Sequence, residues 1–110
     1  MNISQANEKG DDVKVHEALS QLLFDHQPLL DFLFGEERKL RKRPGILRDD
    51  AWRFSDEERL LIRVALEMWS GSGHVQLWEL LETWKAPDWL RFIAALQKLE
   101  LLPASETSRR

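Results

Sequence analysis

The stretch "SDEERLLIRVALEMWSGSG", Ser55 to Gly73, decides the fold. Ser55 and Glu58 have the spacing of a capping box, in which the serine oxygen accepts from a free backbone N–H and the glutamate reaches back to the cap. The spacing predicts a helix from about Asp56. Its polar residues, Asp56, Arg59, Arg63, Glu67 and Ser70, form one narrow strip, while Leu60, Leu61, Ile62, Val64, Ala65, Leu66, Met68 and Trp69 cover the remainder. A helix apolar nearly all round belongs at the centre of a domain. The glycines of "SGSG" end it, because glycine takes the left-handed conformation that helix C-termini favour.

On the C-terminal side, "VQLWELLETW" reads as a helix from about Val75 to Trp84. It is expected to bury Leu77, Leu80, Leu81 and Trp84 and to show Gln76, Glu79 and Thr83 to solvent. After "KAPD", a last helix from about Asp88 to Leu101 turns Trp89, Phe92, Ile93, Leu96 and Leu99 inward and Asp88, Arg91, Ala95 and Lys98 outward. On the N-terminal side, Val15, Leu19, Leu22, Leu23 and His26 keep helical spacing, which predicts a helix over Asp12 to His26. Pro28 suits the first turn of another, so "PLLDFLFGEERKLRKR" reads as one helix weakened at Gly35 and stopped by Pro44-Gly45. "PGILRDDAWRF" is then a connection whose Ile46, Leu47, Trp52 and Phe54 fold back onto the core.

The expected architecture is all-α, about five helices in one small orthogonal bundle spanning residues 12–102, with disordered tails at 1–11 and 103–110. Its 110 residues suit a single core, and 43% hydrophobic with 32% charged residues is an ordinary globular composition. With no cysteine, disulfide and thiolate chemistry are excluded. The polar, acidic start "MNISQANEKGDD" lacks the pattern of a secretion signal, and no run approaches the ~18 apolar residues of a membrane span. A cytoplasmic location is the expectation.

From Ser55 to Leu102, a capped helix, a glycine break, "HVQLWELLETW", a short turn and "WLRFIAALQKLELL" follow one another. This order resembles the tri-helical core of helix-turn-helix and winged-helix domains, with Val75, Leu77, Leu80, Leu81, Ile93, Leu96, Leu99 and Leu101 at core positions. The resemblance covers about half the chain. It implies a nucleic-acid regulator that would bind through Arg91 and Lys98 on the last helix. The departures oppose that function: Pro103 and a polar tail stand where a wing would follow, and Asp88, Glu79 and Glu82 would face phosphate.

The charge is unevenly placed. Residues 1–37 carry a balance of −6, residues 38–48 carry +6, and residues 49–110 carry −3, within a net −3. The six bases of "RKLRKRPGILR" admit two readings. In one they complement the C-terminal dipole of their own helix, with Glu37 pairing Arg41 four residues on. In the other they form an anionic-partner site, for nucleic acid or for an acidic protein surface. No aromatic lies between Lys39 and Ala51 to stack on bases.

His16, His26 and His74 have no ligand spacing, and no catalytic constellation, cofactor motif or metal motif can be named. Of the aromatic residues, Trp69, Trp84 and Trp89 read as core. Trp78, Phe32 and Phe34 are harder to place, since one helix cannot turn every apolar residue of "LLDFLF" inward. The expected function is a non-enzymatic protein-interaction module, an adaptor, inhibitor or small subunit of bacterial or phage type. Its contact surface would combine Phe32 and Phe34 with Arg38, Lys39, Arg41, Lys42 and Arg43, an apolar centre with a charged rim. The alternative is the nucleic-acid-binding regulator.

Overall fold

The computed structural model describes residues 8–101. Six α-helices follow one another: α1 (Glu8–Leu22), α2 (Gln27–Leu33), α3 (Pro44–Asp50), α4 (Asp56–Ser70), α5 (Leu77–Thr83) and α6 (Ala86–Lys98). Short 3-10 turns, Glu36–Arg38 and Ala51–Arg53, complete an all-α chain without a named strand among the described residues. Of the tails expected at 1–11 and 103–110, residues 8–11 belong to α1 and the others lie outside the described residues.

α4 forms as its sequence dictates. The Ser55 hydroxyl accepts from the Glu58 amide at 3.1 Å, and the Ser55 amide donates to the Glu58 carboxylate at 3.0 Å. Three acids, Asp56, Glu57 and Glu58, occupy the positive end of the helix dipole. At the other end Gly71 takes φ 68° and its amide donates to the Glu67 carbonyl. Leu60, Leu61, Ile62, Val64, Ala65 and Leu66 are all buried, so α4 is the central helix. Ser55→Ala removes one half of the box and is expected to lower stability by about 1 kcal/mol, read from the urea midpoint at unchanged slope.

α1 lies along α6 and also touches α4. Two ion pairs fix its direction: Asp25, just past its end, meets Arg91 of α6 at 3.1 Å, and Lys14, eleven residues earlier, meets Glu100, nine residues later, at 3.5 Å. The two helices are therefore antiparallel. Ala18, Leu19 and Leu22 of α1 are fully buried, as is Ala95 of α6. Ala95 thus faces inward, contrary to its expected outward position, because the small residue lets the two helices approach closely. Correspondingly Ile93, expected inside, is exposed.

The single long helix expected over 28–43 is two separate pieces. α2 ends at Leu33, and Phe34 takes an extended conformation that bridges antiparallel to Leu40. The Gly35 amide donates to the Lys39 carbonyl at 2.8 Å and the Arg41 amide to the Leu33 carbonyl at 2.9 Å, closing a tight loop. Glu37 and Arg38 carry φ of 64° and 58° at its tip. A continuous helix would stack Arg38 beside Arg41 and Lys42, a like-charge repulsion the loop avoids. Pro44 then begins α3 instead of stopping a helix: its missing N–H is harmless at a first turn, and Arg43 before it is extended as proline demands. The presumed connection is largely α3, of which Leu47 is buried while Ile46 stays exposed.

The corrections continue in α5, which is two residues shorter at its start than expected. Leu80 and Trp84 are buried, but Leu77 and Leu81 are two-thirds exposed. No helix among the described residues is long and apolar enough to cross a membrane.

Candidate interaction surface

The basic run sits on the loop between α2 and α3 and on α3 itself. Several of its members are already engaged. The Arg41 Nε donates to the Asp31 carbonyl at 2.6 Å, the Lys42 ammonium pairs with Asp50 at 2.8 Å, and Arg48 donates to the Ser72 carbonyl. Glu37 pairs with Lys39 at 3.8 Å, instead of with Arg41 as a helix would require. The dipole reading needed a helix ending at Arg43, which does not form: Lys42 and Arg43 precede the start of α3, where positive charge gains nothing, while Arg48 lies in the last turn of α3. Arg38, Lys39, Arg41, Lys42 and Arg43 are all exposed on the loop.

The aromatic partners assigned to this run are not displayed with it. Phe34 is buried, edge-on to His16 at 4.8 Å and to Trp69 at 5.0 Å. Phe32 is half-buried against Phe54, and the Arg53 guanidinium lies 5.1 Å from both ring centres. Leu29 and Leu33 are buried as well. An exposed "LLDFLF" patch therefore does not form, because breaking the helix at Phe34 lets residues on two backbone directions reach one core.

His16 shares that core edge. Burial, and then the Arg38 charge, hold its imidazole below the ordinary value of 6.5. The unfolded chain thus binds the proton more readily, and stability is expected to fall as pH drops below about 6.5 until the folded-state value is passed. His16→Gln should lack this segment of the pH dependence, which paired urea titrations of the two proteins at neutral and mildly acidic pH would reveal.

On the last helix, Arg91 is held by Asp25 at 3.1 Å and Asp88 at 2.8 Å, and its side chain is mostly covered. Lys98 is exposed in the final turn. The Lys85 amide donates to Asp88 at 3.1 Å, so that carboxylate caps α6 as well as orienting Arg91.

A cleft of about 320 Å³ gathers Arg48, Arg59 and Arg63 near Asp56, Glu79 and Glu82. Each guanidinium is used for construction. Arg59 donates to the Trp52 and Phe54 carbonyls at 3.0 and 2.9 Å. Arg63 reaches the Gly73 carbonyl at 3.2 Å, the His74 carbonyl, and both Glu79 oxygens at 3.0 Å. Glu79 also accepts from the Gln76 amide at 2.8 Å, and these hydrogen bonds, led by Arg63, hold its carboxyl below the usual carboxylate range. The cluster ties α4, the glycine turn and the start of α5 together. Among the described residues no group of acids and histidines could hold a metal ion.

Large apolar side chains are exposed as well. Leu77, Trp78 and Leu81 are exposed on α5, and Leu90 and Ile93 are exposed on α6. Residues three or four apart share a helix face, so Leu77 and Leu81 form one ridge beside Trp78, and Leu90 and Ile93 another. A groove of about 190 Å³, almost wholly apolar, lies between α4 and α5, lined by Val64, Met68, Val75, Leu77 and Leu80, with Phe92 of α6 and with Glu67 at its edge. The sequence reading placed Leu77, Leu81 and Ile93 in the core. No signal in the sequence marked them as exposed: α5 is seven residues long, shorter than the stretch Val75 to Trp84 expected, and its neighbours leave Leu77 and Leu81 uncovered.

No family model, curated protein or solved structure gives a significant match to this chain.

Proposed function

We propose that this chain is a non-enzymatic protein-interaction module, an adaptor, inhibitor or small subunit, that docks through the apolar face of α5 and α6. One observation carries the reading. Among the described residues nine large apolar side chains are exposed, and six of them, Leu77, Trp78, Leu81, Leu90, Ile93 and Leu101, fall within residues 77–101. Scattered exposed leucines need no explanation, whereas a concentration beside an apolar groove is the usual mark of a contact surface. The exposed cations Arg38, Lys39 and Arg43 serve as a separate patch that steers an acidic partner.

The alternative, a nucleic-acid regulator, has less support, since Arg91 is already shared between two carboxylates. The order of α4, the glycine turn, α5 and α6, with only Trp84 and Lys85 between the last two, supports a helix-turn-helix-like arrangement. Such an arrangement does not fix a function. An orthogonal bundle is our reading of the whole.

A photo-crosslinking residue placed at Leu81 in the native host tests the proposal. Discrete protein adducts at that position, and none from the same group placed at Glu57, are expected. No adduct at Leu81 would overturn the reading, and retention of labelled DNA or RNA at low salt would replace it.

A further inference from the structure

We infer that loop 34–41 is a pH-sensitive latch, whose tip, Glu36–Arg38, is released from α1 when His16 takes up a proton. The loop rests on α1 at two points. Phe34 meets the His16 ring edge-on at 4.8 Å, with Trp69 of α4 against it at 5.0 Å, and Glu37, Arg38 and Lys39 line a cleft with Asp12 and Val13, one turn before His16. The tip is held in an unfavourable conformation. Glu37 and Arg38 are both left-handed, at φ 64° and 58°, a region that residues with a side chain enter only under constraint. The constraints are the Phe34–Leu40 bridge, the bond from the Gly35 amide to the Lys39 carbonyl, and the contact with α1.

The surroundings of His16 decide what a proton does there. Burial opposes the charged imidazole, the Arg38 guanidinium on the tip repels it, and Glu17 on α1 itself offsets only part of this. From α4 comes the uncharged Trp69, on Phe34, and the acid of the tip, Glu37, pairs with Lys39 at 3.8 Å. Releasing the tip carries Arg38 away and lets water reach the ring, so the open form binds the proton more readily than the closed one. Its population therefore rises as pH falls through the ordinary imidazole value of 6.5, by at most about tenfold per pH unit because one group titrates. The tip moves and α1 stays, since the tip is exposed and relaxes two strained residues whereas Ala18, Leu19 and Leu22 anchor α1 in the core.

Amide hydrogen exchange of the full chain, with each rate divided by that of the same residue in an unstructured peptide, tests the latch. Protection of the Gly35 amide is expected to be weaker than that of Leu66 in α4, and to fall several-fold from about pH 7.5 to about 5.5. A low concentration of urea should leave it unchanged, because opening a tip exposes little surface. His16→Gln should abolish the fall, and Arg38→Gln, which keeps the imidazole and the core intact, should shrink it. Equal protection of Gly35 at the two pH values would overturn the proposal, as would a fall that persists in His16→Gln or is undiminished in Arg38→Gln. Exchange of Gly35 that matches Leu66 and quickens with urea as Leu66 does would overturn it too, since acid would then loosen the whole domain instead of the tip.

Discussion

Gly73→Ala is expected to lose about 3 kcal/mol or more of folding stability, the largest effect of a Cβ added at Gly35, Gly45, Gly71 or Gly73. A Cβ at Gly73 would stand 1.8 Å from the Arg63 carbonyl oxygen and 2.8 Å from both the Arg63 carbonyl carbon and the Glu67 amide nitrogen. These are backbone atoms of the central helix and cannot yield as the tip of a side chain would. Relief requires the whole turn to lift, yet the turn is fastened: Arg63 holds the Gly73 and His74 carbonyls, Arg48 holds the Ser72 carbonyl, and the Gly73 amide donates to Glu67 at 3.1 Å. Gly71→Ala is the internal comparison. No atom lies within 4 Å of its added Cβ, but its φ of 68° is left-handed, so its cost is that of the backbone conformation alone, about 1 kcal/mol. The two urea midpoints decide the matter. Equal losses at the two positions would mean that Gly73 is needed only as a flexible link.

The parts of this fold legible in the sequence are those settled by neighbours along the chain. Ser55 and Glu58 are three residues apart, and the interaction between them is the same whatever surrounds α4. The broad apolar circumference of α4 likewise admitted only a central position. Pro44 is different, because a proline both ends the helix before it and begins the one after it. Which of these holds over 28–50 was decided by Phe34, whose burial against His16 and Trp69 outweighs continuing α2 for another turn. That contact joins residues far apart in sequence and leaves no periodic trace.

The interaction face was illegible for a related reason. Leucine at helical spacing says that a face is apolar, not that the protein itself covers it. α5 and α6 are each apolar over more of their circumference than their neighbours bury, and the surplus, Leu77, Leu81, Leu90 and Ile93, reads in the sequence like core. The basic loop misled in the opposite direction. Its charges were conspicuous, but Arg41, Lys42 and Arg48 are committed to Asp31, Asp50 and Ser72 within the fold.

A pair of substitutions tests the register of α6 directly, and the sequence reading would rank them in reverse order. Ala95→Glu is expected to lower stability by about 4 kcal/mol, enough to leave a domain of this size partly unfolded, because Ala95 is fully covered where α6 lies along α1. A carboxylate there must be buried without a partner or must force the antiparallel pair apart, breaking the contacts of Arg91 with Asp25 and of Lys14 with Glu100. Ile93→Glu, two residues away, should change the stability of dilute protein by less than about 1 kcal/mol, since that side chain already meets water and surface substitutions are mild. Thermal and urea unfolding of the two variants at low concentration provide the measurement. If Ile93→Glu unfolded the chain and Ala95→Glu did not, α6 would be turned the other way round: the groove beside Phe92 would close, Leu90 and Ile93 would become core, and the docking face would vanish with them.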